Sequence, residues 1–320
     1  VRLVALDLDG TLLNRPSQIP PRPRSAVLTA SQQGVVVVPA TGRALATLPP
    51  EVAQLPGVRY VLTTNGAAVW DLGSEPMSSV YSRYADAEKR HITQPVCLLQ
   101  RLGSPPHSPG GGGQRRRAAV SALRCSPPQK AREVFGLCQQ YEGELTVFSD
   151  GRAIKDRESQ DLAAARMARH CSTEADQPYD GRFTVVPDLA EWMSREAHAI
   201  EKFCLFFGSA EKAQAALPAF RQLKGVEVVQ GSPDNVEVTA QGVDKGEALL
   251  ALADQLGIPR SETMAVGDSE NDRALLEKAG VSAAMANAMP SIQALADYVS
   301  QADCDADGVA ELFEKLVLVR

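Results

Sequence analysis

The chain is poor in histidine. Among its 320 residues only His91, His107, His170 and His198 occur, and they are scattered. That leaves little from which to assemble a His-based zinc site or a Ser-His-Asp triad. The six cysteines (Cys97, Cys125, Cys138, Cys171, Cys204 and Cys304) include no C-x-x-C pair. Their spacing matches neither a metal knuckle nor a disulfide framework, so they read as reduced thiols of a cytoplasmic protein. Long apolar runs are missing too: none reaches the roughly 20 residues that cross a bilayer. The N-terminus runs directly into the first strand, so we expect no signal peptide. Positive charge is not in excess. The net charge is −6, and nothing draws the whole chain to nucleic acid or to an anionic membrane.

What is present is the make-up of a folded soluble protein, with 44% hydrophobic and 22% charged residues. The length supports one large or two ordinary domains with a sizeable core. The informative stretch is the start, Val1-Arg2-Leu3-Val4-Ala5-Leu6-Asp7-Leu8-Asp9-Gly10-Thr11. Its short apolar run fits a buried strand better than a helix. Side chains two apart on a strand point the same way. Asp7 and Asp9 therefore emerge together at a strand's carboxyl end, where open α/β sheets hold their ligands. Gly10 permits a sharp turn that brings backbone N–H groups close to an anion. Two adjacent carboxylates repel unless a cation lies between them or one holds a proton. Mg²⁺ beside a phosphate meets the first condition, and a carboxylate can also act as a nucleophile and form an aspartyl-phosphate. By themselves these residues fit a strand followed by an acidic turn equally well.

Further along, a Pro-rich link from Pro16 to Pro23 leads to a helix ending near Gln33 and closed by Gly34. Val35 to Val38 reads as a buried strand. It ends in Pro39-Ala40-Thr41-Gly42-Arg43, and a helix of about ten residues is expected next. Val58 to Leu62 is a further strand, ending in Thr63-Thr64-Asn65-Gly66. Alternating strands and helices with polar turns predict a parallel sheet covered by helices. The rhythm then fails. The stretch 103–117, with Pro105-Pro106, Gly110 to Gly113 and Arg115-Arg116-Arg117, is too polar and low in complexity to bury its own core. It reads as a flexible, solvated segment. Order returns near Lys130 with a helix, and Asp150-Gly151 between short apolar runs signals a hairpin. A strand from Lys202, a helix from Glu211 and a strand from Val226 complete a second small α/β unit. We expect the first unit to resume near Val236. Strands or helices then begin at Lys245, Thr263, Val281, Pro290 and Gly308. The expected layout is α/β. A Rossmann-like parallel-sheet core spans 1–83 and 234–320, and an inserted α/β cap spans 84–233.

Four polar signatures fall at the ends of core strands or at a helix start: Asp7/Asp9, Thr41-Gly42-Arg43, Lys245-Gly246 and Gly267-Asp268-Ser269-Glu270-Asn271-Asp272. A parallel sheet brings all strand carboxyl ends to one edge, so these distant segments meet in one crevice. Together, and in this order, they resemble the four motifs of the haloacid dehalogenase superfamily of phosphohydrolases, specifically its Cof-type, class IIB members. Asn65-Gly66-Ala67 is similar to a short turn of that family. The likeness covers both outer thirds of the chain, and the segment 103–117 departs from it.

The resemblance implies a phosphatase in which Asp7 attacks phosphorus and Asp9 protonates the leaving oxygen before activating water. It implies Mg²⁺ held by Asp7, the backbone carbonyl of Asp9 and Asp268, with Asp272 close by. Thr41 would offer a hydroxyl, Gly42 a backbone N–H at a helix N-terminus, and Lys245 a charge to the phosphate. Asn271 would hydrogen-bond the phosphate or order the loop. Arg43 fits a phosphate contact and a structural ion pair equally. Simpler roles remain for each residue taken alone: Thr41 as a helix cap, Asp268 and Asp272 as turn acids. The expected partner is a small phosphate ester, a sugar phosphate or a cofactor phosphate, with no nucleic acid and no membrane. The alternatives are a phosphomutase or other phosphotransferase on the same fold, and a catalytically idle binding protein.

Overall fold

The computed structural model describes residues 1–53, 55–72, 119–170, 183–195 and 199–318. The segment 103–117 and the expected first boundary at residue 84 lie outside the described residues.

The strands in chain order are β1 (Leu3–Leu6), β2 (Val36–Pro39), β3 (Tyr60–Thr63), β4 (Ala68–Asp71) and β5 (Ala119–Leu123). Then come β6 (Glu144–Ser149), β7 (Arg152–Asp156), β8 (Phe183–Val186), β9 (Ile200–Phe206), β10 (Val226–Val229) and β11 (Asn235–Ala240). Last are β12 (Thr263–Gly267), β13 (Val281–Ala284) and β14 (Tyr298–Val299).

The first sheet has the order β14-β13-β12-β1-β2 and is parallel throughout. Leu3 to Leu6 are fully buried, as a central strand covered on both faces must be. One isolated parallel bridge, Ala40 to Leu62, ties β2 to β3. From there β3, β4 and β5 form an antiparallel three-stranded sheet. The helices Pro21–Gln32 and Gly308–Leu316 pack on each other, as do Lys245–Gln255 and Arg273–Lys278. Asp244 starts the helix Lys245–Gln255 by accepting from the Glu247 N–H at 2.8 Å.

The second sheet has the order β10-β11-β9-β6-β7-β8 and is antiparallel except between β7 and β8. The expected hairpin is there. Asp150 and Gly151 take φ of 53° and 72° between β6 and β7, the left-handed pair a two-residue hairpin turn needs. One face of this sheet is apolar and packs through Val147, Phe203, Leu205, Val236 and Val238 on helices that include Phe220.

Three expectations need correction. The strand at Val236 does not reopen the first unit: β11 pairs with β9 and β10 in the second sheet. The chain rejoins the first unit at the helix beginning at Lys245. Alternating polarity identifies a strand but not the sheet it joins. Conversely, β5 falls in the stretch assigned to the insert yet pairs with β4 of the first unit. Finally, no ten-residue helix follows Arg43. The chain makes a 3₁₀ turn at Leu45–Thr47 and a single helical turn at Pro50–Ala53. Pro49-Pro50 accounts for this, since proline and the residue before it resist continuing a helix.

Candidate active site

The carboxyl ends of β1, β2 and β12 and the start of the helix Lys245–Gln255 converge. Asp7 continues β1 by one residue, its N–H donating to the Val266 carbonyl at 3.0 Å. The turn behind it depends on Gly10, at φ 82°, where a Cβ would come within 2.5 Å of Asp268 Oδ2. Only glycine lets the two loops approach that closely. Thr11, fully buried, donates from Oγ1 to Asp268 Oδ1 at 3.4 Å.

Asp272 is fully buried and its hydrogen-bonding capacity is in use. Oδ2 accepts from the N–H groups of Asp268 at 3.0 Å and Ser269 at 3.2 Å. Oδ1 accepts from Lys245 Nζ at 2.7 Å, and Asp7 Oδ1 accepts from the same ammonium at 2.7 Å. Gly246 makes this possible: a Cβ there would lie 2.2 Å from the Ala274 carbonyl, so glycine lets the two helices pack close enough to seat Lys245. Lys245 therefore lies beneath Asp7 rather than on the open cavity wall.

Asp9 is placed differently. Its side chain is 51% exposed and is gripped by Arg43, with Nε 2.8 Å from Oδ2 and Nη2 2.6 Å from Oδ1. Of the two readings for Arg43, the structure shows the ion pair. The Thr41 hydroxyl accepts from the Arg43 N–H at 3.1 Å. Gly42 does not start a helix, which corrects the expected helix-dipole contribution to anion binding. Asn271 is tied down by Ser269 Oγ, which donates to its Oδ1 at 2.7 Å.

The charges strain against one another. Burial raises the pKa of Asp7 well above the carboxylate range, and the Asp272 charge adds to it while Lys245 opposes. Burial, then Asp272, pushes Asp268 up to about 7. Burial disfavours the Lys245 ammonium, but Asp272 and Asp7 outweigh it and raise its pKa. Loss of water raises Asp9, but the Arg43 charge and hydrogen bonds win and hold it below the usual range.

Carboxylate oxygens of Asp7, Asp268 and Asp272 lie within 4.8 Å of one another. Three crowded carboxylates sharing one lysine leave negative charge uncompensated, and their hard oxygen donors suit a divalent cation such as Mg²⁺. Asp272, with both oxygens bonded to protein donors, fits a supporting position. The Asp9 carboxylate is outside this cluster.

A cavity of about 300 Å³ opens over Asp7 and Asp9. Thr41, Gly42, Arg43 and Asn271 line it on the side of the first unit, and Lys202, Glu237, Lys155 and Phe206 on the side of the second sheet. The residues on the second side went unread in the sequence. The available signal was a charged residue inside an otherwise apolar strand: Lys202 in β9, and Glu237 among the alternating polar residues Asn235, Glu237 and Thr239 of β11. Asn65, a turn residue in the sequence, donates from Nδ2 to Glu237 Oε2 at 2.5 Å and so ties the first unit to the second sheet.

Comparison with known proteins agrees with this geometry. The chain matches the haloacid dehalogenase-like hydrolase family over residues 4–93 and 124–313. It is 29% identical to the phosphatase YwpJ of Bacillus subtilis over 325 aligned positions, covering 99% of this chain and 100% of the relative. It is 24% identical to 5-amino-6-(5-phospho-D-ribitylamino)uracil phosphatase YcsE of the same organism, covering 99% and 96% of the two chains. Among solved structures, a haloacid dehalogenase-like hydrolase from B. subtilis superposes with a TM-score of 0.77 at 25% identity, covering 99% of this chain and 100% of the other. The chain thus belongs to the haloacid dehalogenase-like hydrolases, with a parallel-sheet core and an inserted α/β unit.

Proposed function

We propose that this protein is a Mg²⁺-dependent phosphatase that hydrolyses a small phosphorylated metabolite, a sugar or cofactor phosphate, through an aspartyl-phosphate on Asp7. Phosphoric monoester hydrolysis is the reaction class of its named relatives. The observation that carries the reading is the placement of Asp7. Its carboxylate forms part of the wall of a cavity large enough for a small ester, with one oxygen pinned by Lys245.

With Oδ1 held by Lys245, Oδ2 is left to attack phosphorus in line with the leaving oxygen. Lys245 also favours the ionised, nucleophilic form of Asp7 against the effect of burial. Asp7, Asp268 and the Asp9 backbone carbonyl would hold Mg²⁺, with Asp272 in support; the ion supplies charge neutralisation to the phosphoryl oxygens. Asp9 gives its proton to the leaving oxygen and then takes one from the attacking water. Loading Asp9 with that proton requires the Arg43 fork to open, and a phosphate dianion near Gly42 competes for Arg43. The Thr41 hydroxyl and the Gly42 N–H complete the anion contacts. The second unit serves as a cap that closes the cavity from water and shapes the leaving-group side.

The test is release of free phosphate from p-nitrophenyl phosphate and from a panel of sugar, flavin and pyridoxal phosphates. Chelator should abolish release and Mg²⁺ restore it. Mg²⁺ should also raise the melting temperature, since it relieves the repulsion among Asp7, Asp268 and Asp272. Transfer of phosphate to a sugar hydroxyl without free phosphate would point to a phosphotransferase instead.

A further inference from the structure

Lys202 sits mid-strand in β9, in the second sheet, yet its side chain reaches the first unit. The side chain is 2% exposed. Nζ donates to the Gly42 carbonyl at 2.6 Å and lies 3.1 Å from Glu237 Oε1. The Phe148 ring lies beneath it, with the centroid 4.4 Å away. An ammonium carries three N–H donors. Gly42 and Glu237 account for two, and the cavity holding Asp7, Asp9 and Thr41 is lined by the same side chain.

The surroundings of Gly42 show a constructed site. A Cβ on Gly42 would lie 2.9 Å from Asn65 Oδ1, 3.3 Å from Lys202 Nζ and 3.6 Å from Asn271 Nδ2. Three polar side chains from three separate segments therefore converge on this one glycine. Glu237 organises two of them, accepting from Asn65 through Oε2 and pairing with Lys202 through Oε1. Burying an ammonium and a carboxylate carries a desolvation penalty that a packed apolar pair would avoid. Stability alone thus gives little reason for this arrangement, whereas an anion in the cavity gives a direct one.

A docking role does not require this charge. The neighbouring Glu201 already joins the units, accepting from Thr64 Oγ1 at 2.9 Å and from the Gly151 N–H at 2.8 Å. That contact uses a neutral hydroxyl and a backbone donor. The two cations of the first unit nearest the site already hold carboxylates: Lys245 holds Asp7 and Asp272, and Arg43 would have to release Asp9 before it met a phosphate.

We infer that Lys202 is a phosphoryl-binding residue supplied by the inserted unit: its remaining N–H bonds an oxygen of the phosphate that Asp7 attacks, while Glu237 and Phe148 hold it in position. This rests on the phosphatase reading above. A fixed charge on the cavity wall stabilises the negative charge on the transferred group without reorganising at the moment of reaction. The phosphate site is then complete only with both units in place. Because Lys202 reads the phosphoryl group and not the leaving group, its loss affects every ester alike.

The test uses the full chain with Mg²⁺. Orthovanadate, a phosphate-shaped anion, is titrated calorimetrically, and kcat/KM is measured for p-nitrophenyl phosphate and one sugar phosphate. Lys202→Met should weaken vanadate binding about tenfold or more, the loss of one charge-assisted hydrogen bond, and lower kcat/KM for both esters by a similar factor. Lys202→Arg should recover most of the loss. Lys202→Gln keeps a donor for the Gly42 carbonyl and serves if the Met variant fails to fold; it should show the same deficit. Glu201→Gln, which alters docking alone, should leave vanadate affinity within about twofold. Unchanged vanadate affinity in both neutral variants, an equal loss in Glu201→Gln, or a deficit confined to one ester would each overturn the inference. An unaltered protein that binds vanadate but hydrolyses nothing would refute the phosphatase reading, while the titration would still decide the role of Lys202.

Discussion

The two sheets carry their charged residues in different places. In the parallel sheet, Asp7 and Asp268 lie just past the ends of β1 and β12, beyond strands whose own residues are buried. In the second sheet, Lys202, Glu237 and Lys155 sit inside strands, on the face opposite the apolar cluster. A strand end is a topological position: in a parallel sheet all such ends share one edge. A mid-strand residue has only a face, and period two does not say whether that face meets water, a helix or a cavity. In the proposed reaction, covalent chemistry falls to the strand ends and recognition to the strand middles.

The largest effect belongs at a strand end. Asp7→Asn should reduce phosphate release at least about a thousandfold, in line with loss of a nucleophile, while a melting curve shows the fold intact. If Lys202→Met cost as much, the division of labour would be wrong. Next comes Asp9→Asn, expected to lower kcat by roughly a hundred- to ten-thousandfold on sugar phosphates. The loss should be smaller on p-nitrophenyl phosphate, whose leaving oxygen needs little protonation. Equal losses on both would remove Asp9 from the acid role.

A smaller effect concerns the joint between the units. Burial pushes the Glu201 carboxyl from an ordinary 4.5 up to about 7, against the Gly151 and Thr64 donors. The folded protein therefore holds this proton where the unfolded chain has lost it, and stability falls as pH rises from about 4.5 to 7. The full swing is on the order of 3 kcal/mol. Urea unfolding of the unaltered protein and Glu201→Gln across that range should show the difference between them drifting in favour of the variant. A constant difference would contradict the burial of an ionisable group at this joint. The smallest effect is on the surface. Arg22 and Glu314 pair at 2.6 Å with both side chains about half exposed. Arg22→Ala should leave the midpoint of urea unfolding essentially unchanged, as for other solvated pairs.

The same contrast explains what was legible in the sequence. Asp7, Asp9, Thr41-Gly42-Arg43, Lys245 and Asp268 to Asp272 could be found because β-branched or apolar runs ended in polar turns, and topology brought those turns together. Local chemistry misled where it pointed two ways. Thr41-Gly42-Arg43 has the look of a helix start, but Pro49-Pro50 limits it to short turns. Val236 to Thr239 is strand-like in any sheet, and only pairing with β9 and β10 assigns it to the second. The Arg43 grip on Asp9 was one of two equal readings, because an arginine's partner depends on which acid the fold brings near. Lys202 and Glu237 give no signal of their own, because a charged residue inside a strand is also what a solvated strand face shows. What separates the two cases is the cavity above them, and that depends on how one unit sits over the other.

In the proposed reaction Asp7 carries the phosphoryl group. This is tested most directly by mixing protein with a substrate and Mg²⁺, quenching with acid within milliseconds, and mapping covalent phosphate by mass spectrometry after digestion. A phosphoryl group is expected on the peptide containing Asp7, appearing faster than free phosphate in the first turnover and absent from Asp7→Asn. Phosphate on any other residue, or release in the first turnover with no modified peptide, would contradict it.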